Sequence, residues 1–112
     1  MLAPIPTLQV ALPVPLPRLF DYLPPEGPGP AVPVGCRLKV PFGNRELVGT
    51  VAGHGQVDDG QGLRQALAWC DPQPLLQGEL WQSLQWLARY THSPLGEVVN
   101  TALPGPLRHG EA

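Results

Sequence analysis

The tripeptide Phe20-Asp21-Tyr22 sets one carboxylate between two aromatic rings. An ionised carboxylate only accepts hydrogen bonds, so in a small pocket it can select a ligand hydroxyl by taking a charge-assisted bond from it. Aromatic faces can stack a planar ring without choosing its identity. The plainer reading of Asp21 is a turn residue that bonds its own backbone. In an extended segment neighbouring side chains point to opposite faces, so Phe20 and Tyr22 share a side and Asp21 faces away unless the chain bends there. Only two Phe and two Tyr serve the whole chain, so one ring of the pair is expected in the core. Tyr22 is expected to be the partly exposed one.

Cations that could hold phosphate oxygens are concentrated early: Arg18, Arg37, Lys39 and Arg45, followed by Arg64. A guanidinium binds phosphate bidentately. The alternation of Arg37 and Lys39 is equally what an exposed β face shows, and Arg64 reads equally as a solvated strand arginine. The formal net charge of -2 means that any contact with a polyanion must be local. His54, His92 and His109 lack metal-ligand spacing with Cys36 and Cys70, and no serine stands in a nucleophile motif with a histidine partner. There is no phosphate-cradling Gly-x-x-x-x-Gly-Lys-Ser/Thr loop. Neither catalysis, metal nor cofactor is expected. Two cysteines and no secretory pattern read as a reduced, cytoplasmic protein, and no apolar run approaches the ~18 residues of a membrane span.

These residues must be positioned by a single modest core, since 112 residues suffice for one domain and not for two ordinary ones. With 16 prolines and 13 glycines, short strands and many turns are expected in the first half. Residues 8–12 read as a buried strand and 13–17 as extended proline-rich chain, with a displayed loop or short strand after them. A loop follows over 24–33, and Val34-Gly35-Cys36 turns into a strand over 36–42. Phe42-Gly43-Asn44-Arg45 reads as a tight reversal that makes a hairpin with a strand over 46–53. A polar loop is expected over 54–62 and a further strand over 63–69.

From residue 80 the period changes. Leu80, Trp81, Leu84, Leu87 and Ala88 recur at helical spacing and predict a helix over 78–91. Ser93 and Pro94 read as the cap and first position of a second short helix, ended by Pro104-Gly105-Pro106. The fold class is therefore α+β, mainly β: a small barrel-like β subdomain over 1–71 and a short helical subdomain over 72–104. Leu80, Trp81, Leu84 and Leu87 are expected to pack the helices on the barrel, with Trp86 in the same interface, and 105–112 to form a frayed tail.

Taken in order, Val10-Ala11-Leu12, Pro15-Leu16-Pro17, Phe20-Asp21-Tyr22-Leu23, Gly35-Cys36-Arg37, Val40-Pro41-Phe42-Gly43 and Gly49-Thr50-Val51 resemble the opening of the PriA family of replication-restart helicases. The resemblance continues through Leu63-Arg64-Gln65-Ala66, Trp86-Leu87-Ala88-Arg89-Tyr90 and Pro94-Leu95-Gly96-Glu97-Val98 to Ala102-Leu103-Pro104. It implies a DNA-binding module that captures the 3′ end of a nascent strand at a stalled, branched fork with little base preference. Asp21 matches the family's acid for the terminal 3′ hydroxyl, and Phe20 and Tyr22 would stack the terminal base. Gly35 lies where the family brings backbone close to the nucleotide, although a plain turn glycine accounts for it equally. Arg64 aligns with a basic position that resembles a phosphate contact, and Arg18, Arg37, Lys39 and Arg45 could add others. The implied partners are DNA, the helicase core of the same family, and primosome or single-strand-binding proteins. The family's ATP-driven motor and zinc-binding region do not carry over to this chain. The competing reading, favoured by the acidic net charge, is a protein-interaction domain that docks a helicase or primosome partner.

Overall fold

The computed structural model describes residues 5–16, 18–57 and 63–103. Strand β1, Ile5–Ala11, turns Leu8 and Val10 inward, where both are buried. It pairs on one side with the short β2, Phe20–Tyr22, and on the other with β4, Arg45–Val57. Strand β3, Arg37–Phe42, pairs with β4 and also with β5, Ala68–Trp69. The sheet order is β2-β1-β4-β3-β5, antiparallel throughout. Its two ends then meet. Leu23, just past β2, makes a parallel bridge with Gln65. The Leu23 N–H donates to the Arg64 carbonyl at 3.1 Å and the Ala66 N–H to the Leu23 carbonyl at 2.8 Å. Closing a sheet in this way occupies backbone groups that an open edge would leave unpaired, so the expected barrel-like unit is present.

The expected hairpin is β3–β4, with Phe42 opposite Arg45 and Gly43-Asn44 as its two-residue turn. Gly43 has φ +59° and Asn44 does not share a positive φ, so the glycine-first arrangement of a type II′ turn applies. Two strand boundaries differ from the sequence reading. The loop expected over 54–62 is corrected for its first residues, because Gly55, Gln56 and Val57 belong to β4 and pair with Thr7, Pro6 and Ile5; residues 58–62 lie outside the described residues. A bulge makes this long arm possible: Gln9 faces Gly53 while Val10 faces Val51, leaving Ala52 as the extra residue that bends β4. Conversely, the strand expected over 63–69 shrinks to Ala68–Trp69 and the bridge at Gln65.

Helix α1 is Gly78–Thr91, as the apolar period predicts, and α2 is Leu95–Ala102. The buried stripe of α1 is Trp81, Leu84 and Ala88. The expectation for Leu80, Leu87 and Trp86 is corrected: all three are exposed. At about 100° per residue, Leu80 and Leu87 fall on the flank of that stripe and Trp86 on its far side. There Trp86 stacks on Tyr90 with ring centroids 4.8 Å apart.

Helix α1 ends at His92 in the left-handed region, φ 55°, with the His92 N–H reaching the Arg89 carbonyl and the Ser93 N–H the Ala88 carbonyl. Ser93 does not cap α2; its hydroxyl pairs with Thr91 at 2.9 Å, and Pro94 is the N-cap. A Cβ at Gly96 would fall into the backbone of Leu12, so only glycine lets α2 lie against the end of the β1 segment. Leu76, Trp81, Leu84, Val99 and Leu103 form the core of this helical part, with Val34 and Ala52 of the barrel packed against it. The tail expected over 105–112 lies outside the described residues.

Candidate nucleic-acid interface

Where β2 begins, the β3–β4 hairpin and the chain entering the closing bridge leave a cleft of ≈260 Å³. Arg18, Phe20, Asp21 and Tyr22 line one wall, Pro41, Phe42 and Gly43 the second, and Leu63 and Arg64 the third. The structure thus gathers Arg18, Phe20, Asp21, Tyr22 and Arg64 from the two ends of a stretch that spans well over a third of the sequence. The Phe20 and Phe42 rings meet edge to face, 5.5 Å between centroids, and the Arg18 guanidinium lies 4.6 Å from the Phe20 centroid. Arg64 is exposed and donates from Nη1 to the Gly43 carbonyl at 3.0 Å, which ties the hairpin tip to the third wall.

The expected roles of the two rings are reversed. Tyr22 is buried and Phe20 half-buried. Tyr22 sits opposite Leu8, inside the closed sheet, and its hydroxyl donates to the Pro41 carbonyl at 2.8 Å. Burial pushes its phenol up, against a smaller opposing effect of Arg64. Phe20 stands at the start of the strand, where the wall opens.

Asp21 is exposed, and β2 is extended with no bend at this residue. Its carboxylate therefore leaves from the opposite side of the strand to Tyr22 and lies beside β4, where Oδ1 is 3.4 Å from the place a Gly55 Cβ would take. The Gln9 amide is equally close to that point. Among the described residues the Asp21 carboxylate makes no hydrogen bond or ion pair, so it is not consumed by its own turn.

Four expected contacts lie elsewhere. Arg37 is buried, 1% exposed, and its guanidinium holds the Asp71 carboxylate through Nε at 3.0 Å and Nη2 at 2.6 Å. It is not available to phosphate, because the segment after β5 covers it. Lys39 and Arg45 are exposed on the hairpin strands and do not line the cleft. Gly35 is buried with φ +92°, and a Cβ there would collide with the Leu76 carbonyl. Its glycine is explained by this junction between barrel and helices. The glycine that borders the cleft is Gly43, which with Pro41, Phe42 and Leu63 the sequence reading had not assigned to a site; the two-residue turn was the available signal.

Neither cysteine borders the cleft. The Cys36 thiol donates to the Val32 carbonyl at 3.3 Å, and burial with the nearby Asp71 pushes its pKa up to about 11, so it stays protonated. No helix among the described residues is long and apolar enough to cross a membrane.

Residues 9–104 match the family model of the PriA 3′DNA-binding domain (3′BD). The chain is similar to the replication restart protein PriA of Haemophilus influenzae, 40% identical over 107 residues, which is 94% of this chain and 14% of the relative. It is also similar to PriA of Buchnera aphidicola subsp. Schizaphis graminum, 28% identical over 103 residues, 90% of this chain and 14% of the relative. A shorter similarity, 42% over 66 residues, covers 58% of this chain and 7% of the probable PriA of Deinococcus radiodurans. The chain therefore spans only 14% of the length of the first two relatives.

Proposed function

The chain belongs to the PriA 3′DNA-binding domain family, and from that membership we propose that it holds the 3′ end of a nascent DNA strand at a replication fork, seating the terminal nucleotide in the cleft between β2 and the hairpin. The observation that carries this is a cleft holding an accessible aromatic ring and two arginines, with the unpartnered, exposed Asp21 carboxylate on the outer face of its β2 wall, so that the terminal sugar reaches over the edge of that strand to meet it. An internal sugar has its O3′ esterified and offers no proton there. Only the terminal sugar can donate a 3′ hydroxyl to Asp21, which makes a carboxylate a reader of chain ends.

The terminal base lies against the Phe20–Phe42 pair, and Arg18, displaced from the Phe20 face, joins Arg64 on the phosphate. Tyr22 does not stack. It fixes β2 to the hairpin through Pro41 and so sets the width of the cleft. Stacking is tolerant of base identity, so little sequence preference follows. In a longer chain such a module would set the family's helicase core on a branched fork, and primosome or single-strand-binding proteins would meet it there. The second reading, a surface that docks such a protein partner, draws on the stacked and exposed Trp86 and Tyr90 on the outer side of α1.

Fluorescence anisotropy with short single strands ending in either a 3′ hydroxyl or a dideoxy sugar tests the proposal. The dideoxy end should bind more weakly, by ~1.5 kcal/mol, near the low end for a hydrogen bond to a charged group because Asp21 starts solvated. Asp21→Asn should bring the two ends together while leaving internal strand binding unchanged. Equal binding of both ends by the unmodified chain would sink the end-capture mechanism.

A further inference from the structure

A second groove, ≈320 Å³, runs between the segment leading into β2 and the corner joining α1 to α2. Arg18, Leu19, Gln85, Arg89, Ser93 and Leu95 are among its lining residues. It shares Arg18 with the cleft that seats the terminal nucleotide, so the two depressions are neighbours across one side chain. Among the described residues no Asp or Glu lines it, although the chain as a whole carries more acids than Lys and Arg, 9 against 7.

Arg89 stands in the last turn of α1, where a cation is ordinarily explained by the carbonyls and dipole of the helix end. Here the His92 and Ser93 N–H groups already serve the Arg89 and Ala88 carbonyls. The Arg89 guanidinium itself makes no hydrogen bond or ion pair among the described residues. Two arginines together with apolar Leu19 and Leu95 in one groove match a sugar-phosphate chain, whose phosphates need forked donors and whose sugars tolerate apolar contact. From this arrangement we infer that the backbone of the nucleotides 5′ of the captured end runs through this groove, with Arg89 as a phosphate contact beyond the terminal cleft. The inference rests on the proposed seating of the 3′ end, and it assigns to Arg89 a role that depends on strand length.

Arg89→Gln in the full chain separates the possibilities. Binding of a dinucleotide with a free 3′ hydroxyl, followed by NMR titration, should be unchanged within about twofold, since its one phosphate stays at Arg18 and Arg64. Binding of a strand of about ten nucleotides should weaken by about three- to tenfold, and its log–log salt slope should fall by about 0.7, the single-strand value for one phosphate. Arg89→Lys, which keeps the charge, should keep that slope. Equal loss for both lengths, or no loss for either, would overturn the groove assignment. If the unmodified chain discriminates free from dideoxy ends but Arg89→Gln keeps the full slope, the groove fails alone. If it does not discriminate ends, the end-capture reading fails and the inference goes with it.

Discussion

Arg37 and Lys39 are two residues apart on one strand, yet one is sealed inside and the other is in solvent. Alternation told which residues share a face, and the sequence reading accordingly treated both as exposed cations. It could not tell that the chain returns 34 residues later to lay Asp71 over position 37. The Asp71 carboxylate takes bonds from Nε, from Nη2 and from the Arg37 backbone N–H at 2.9 Å, so one acid holds a buried guanidinium and pins the start of β3. The Cys70 N–H closes the same junction on the Arg37 carbonyl at 2.9 Å. Removing one partner of a buried pair strips the other of its counter-charge, which typically costs ~3–5 kcal/mol. Asp71→Ala should therefore lower the urea midpoint by that much stability without touching either groove. A loss below about 1 kcal/mol would show that water reaches Arg37 and that the pair is not sealed. The same contrast in partners marks the candidate site: Asp21 and Asp71 are both aspartates near arginines, but only Asp21 is left unbonded among the described residues. That difference is invisible in the sequence.

At the scale of elements, α1 was legible to the residue because its apolar period and its flanks are local signals. The face it buries was less so, since Leu80 and Leu87 border the stripe and only the position of the barrel decides which side is covered. Strand β4 was legible only in its first half. Beyond Gly53 come His54, Gly55 and Gln56 before Val57, with no apolar alternation to mark a strand, and what makes them one is backbone pairing with Ile5, Pro6 and Thr7 far away in the chain. The docking of α2 is of the same kind: Gly96 has an unremarkable helical position, and its importance comes from the Leu12 backbone pressed against it. Gly96→Ala gains intrinsic helix propensity, so on local grounds α2 should become more stable by roughly 1 kcal/mol. The structure predicts the opposite sign. The added methyl must push α2 off Leu12, and overpacking of this kind costs about 1–3 kcal/mol. Thermal unfolding of the variant decides between them, and a rise in midpoint would mean that α2 does not rest on the barrel.

The whole molecule is a poor polyanion binder by composition, with net charge -2 and one of its arginines, Arg37, already spent inside. Yet Arg64, Arg18 and Arg89 border two adjoining depressions, whereas Lys39 and Arg45 stand apart on the hairpin. Affinity for a single strand should then come from a short run of phosphates and one captured end, and not from a broad basic surface. Three arginine–phosphate contacts at about 0.7 each give a log–log salt slope of about −2 for a strand that fills both depressions. Exchanging the terminal base among the four should change the dissociation constant by less than about threefold, because the cleft offers a ring face to stack on and few groups placed to read base edges. Titrations of four strands differing only in the last base, at several salt concentrations, measure both quantities at once. A slope much steeper than −2 would bring Lys39 and Arg45 into the interface and enlarge it around the hairpin. A slope near zero with a retained preference for free 3′ ends would leave Asp21 and the aromatic pair holding the nucleotide without help from the arginines. Strong discrimination among terminal bases would require a hydrogen-bonding side chain to reach the base edge, and Gln85, the lining amide of the second groove, is the group that would then have to reach it.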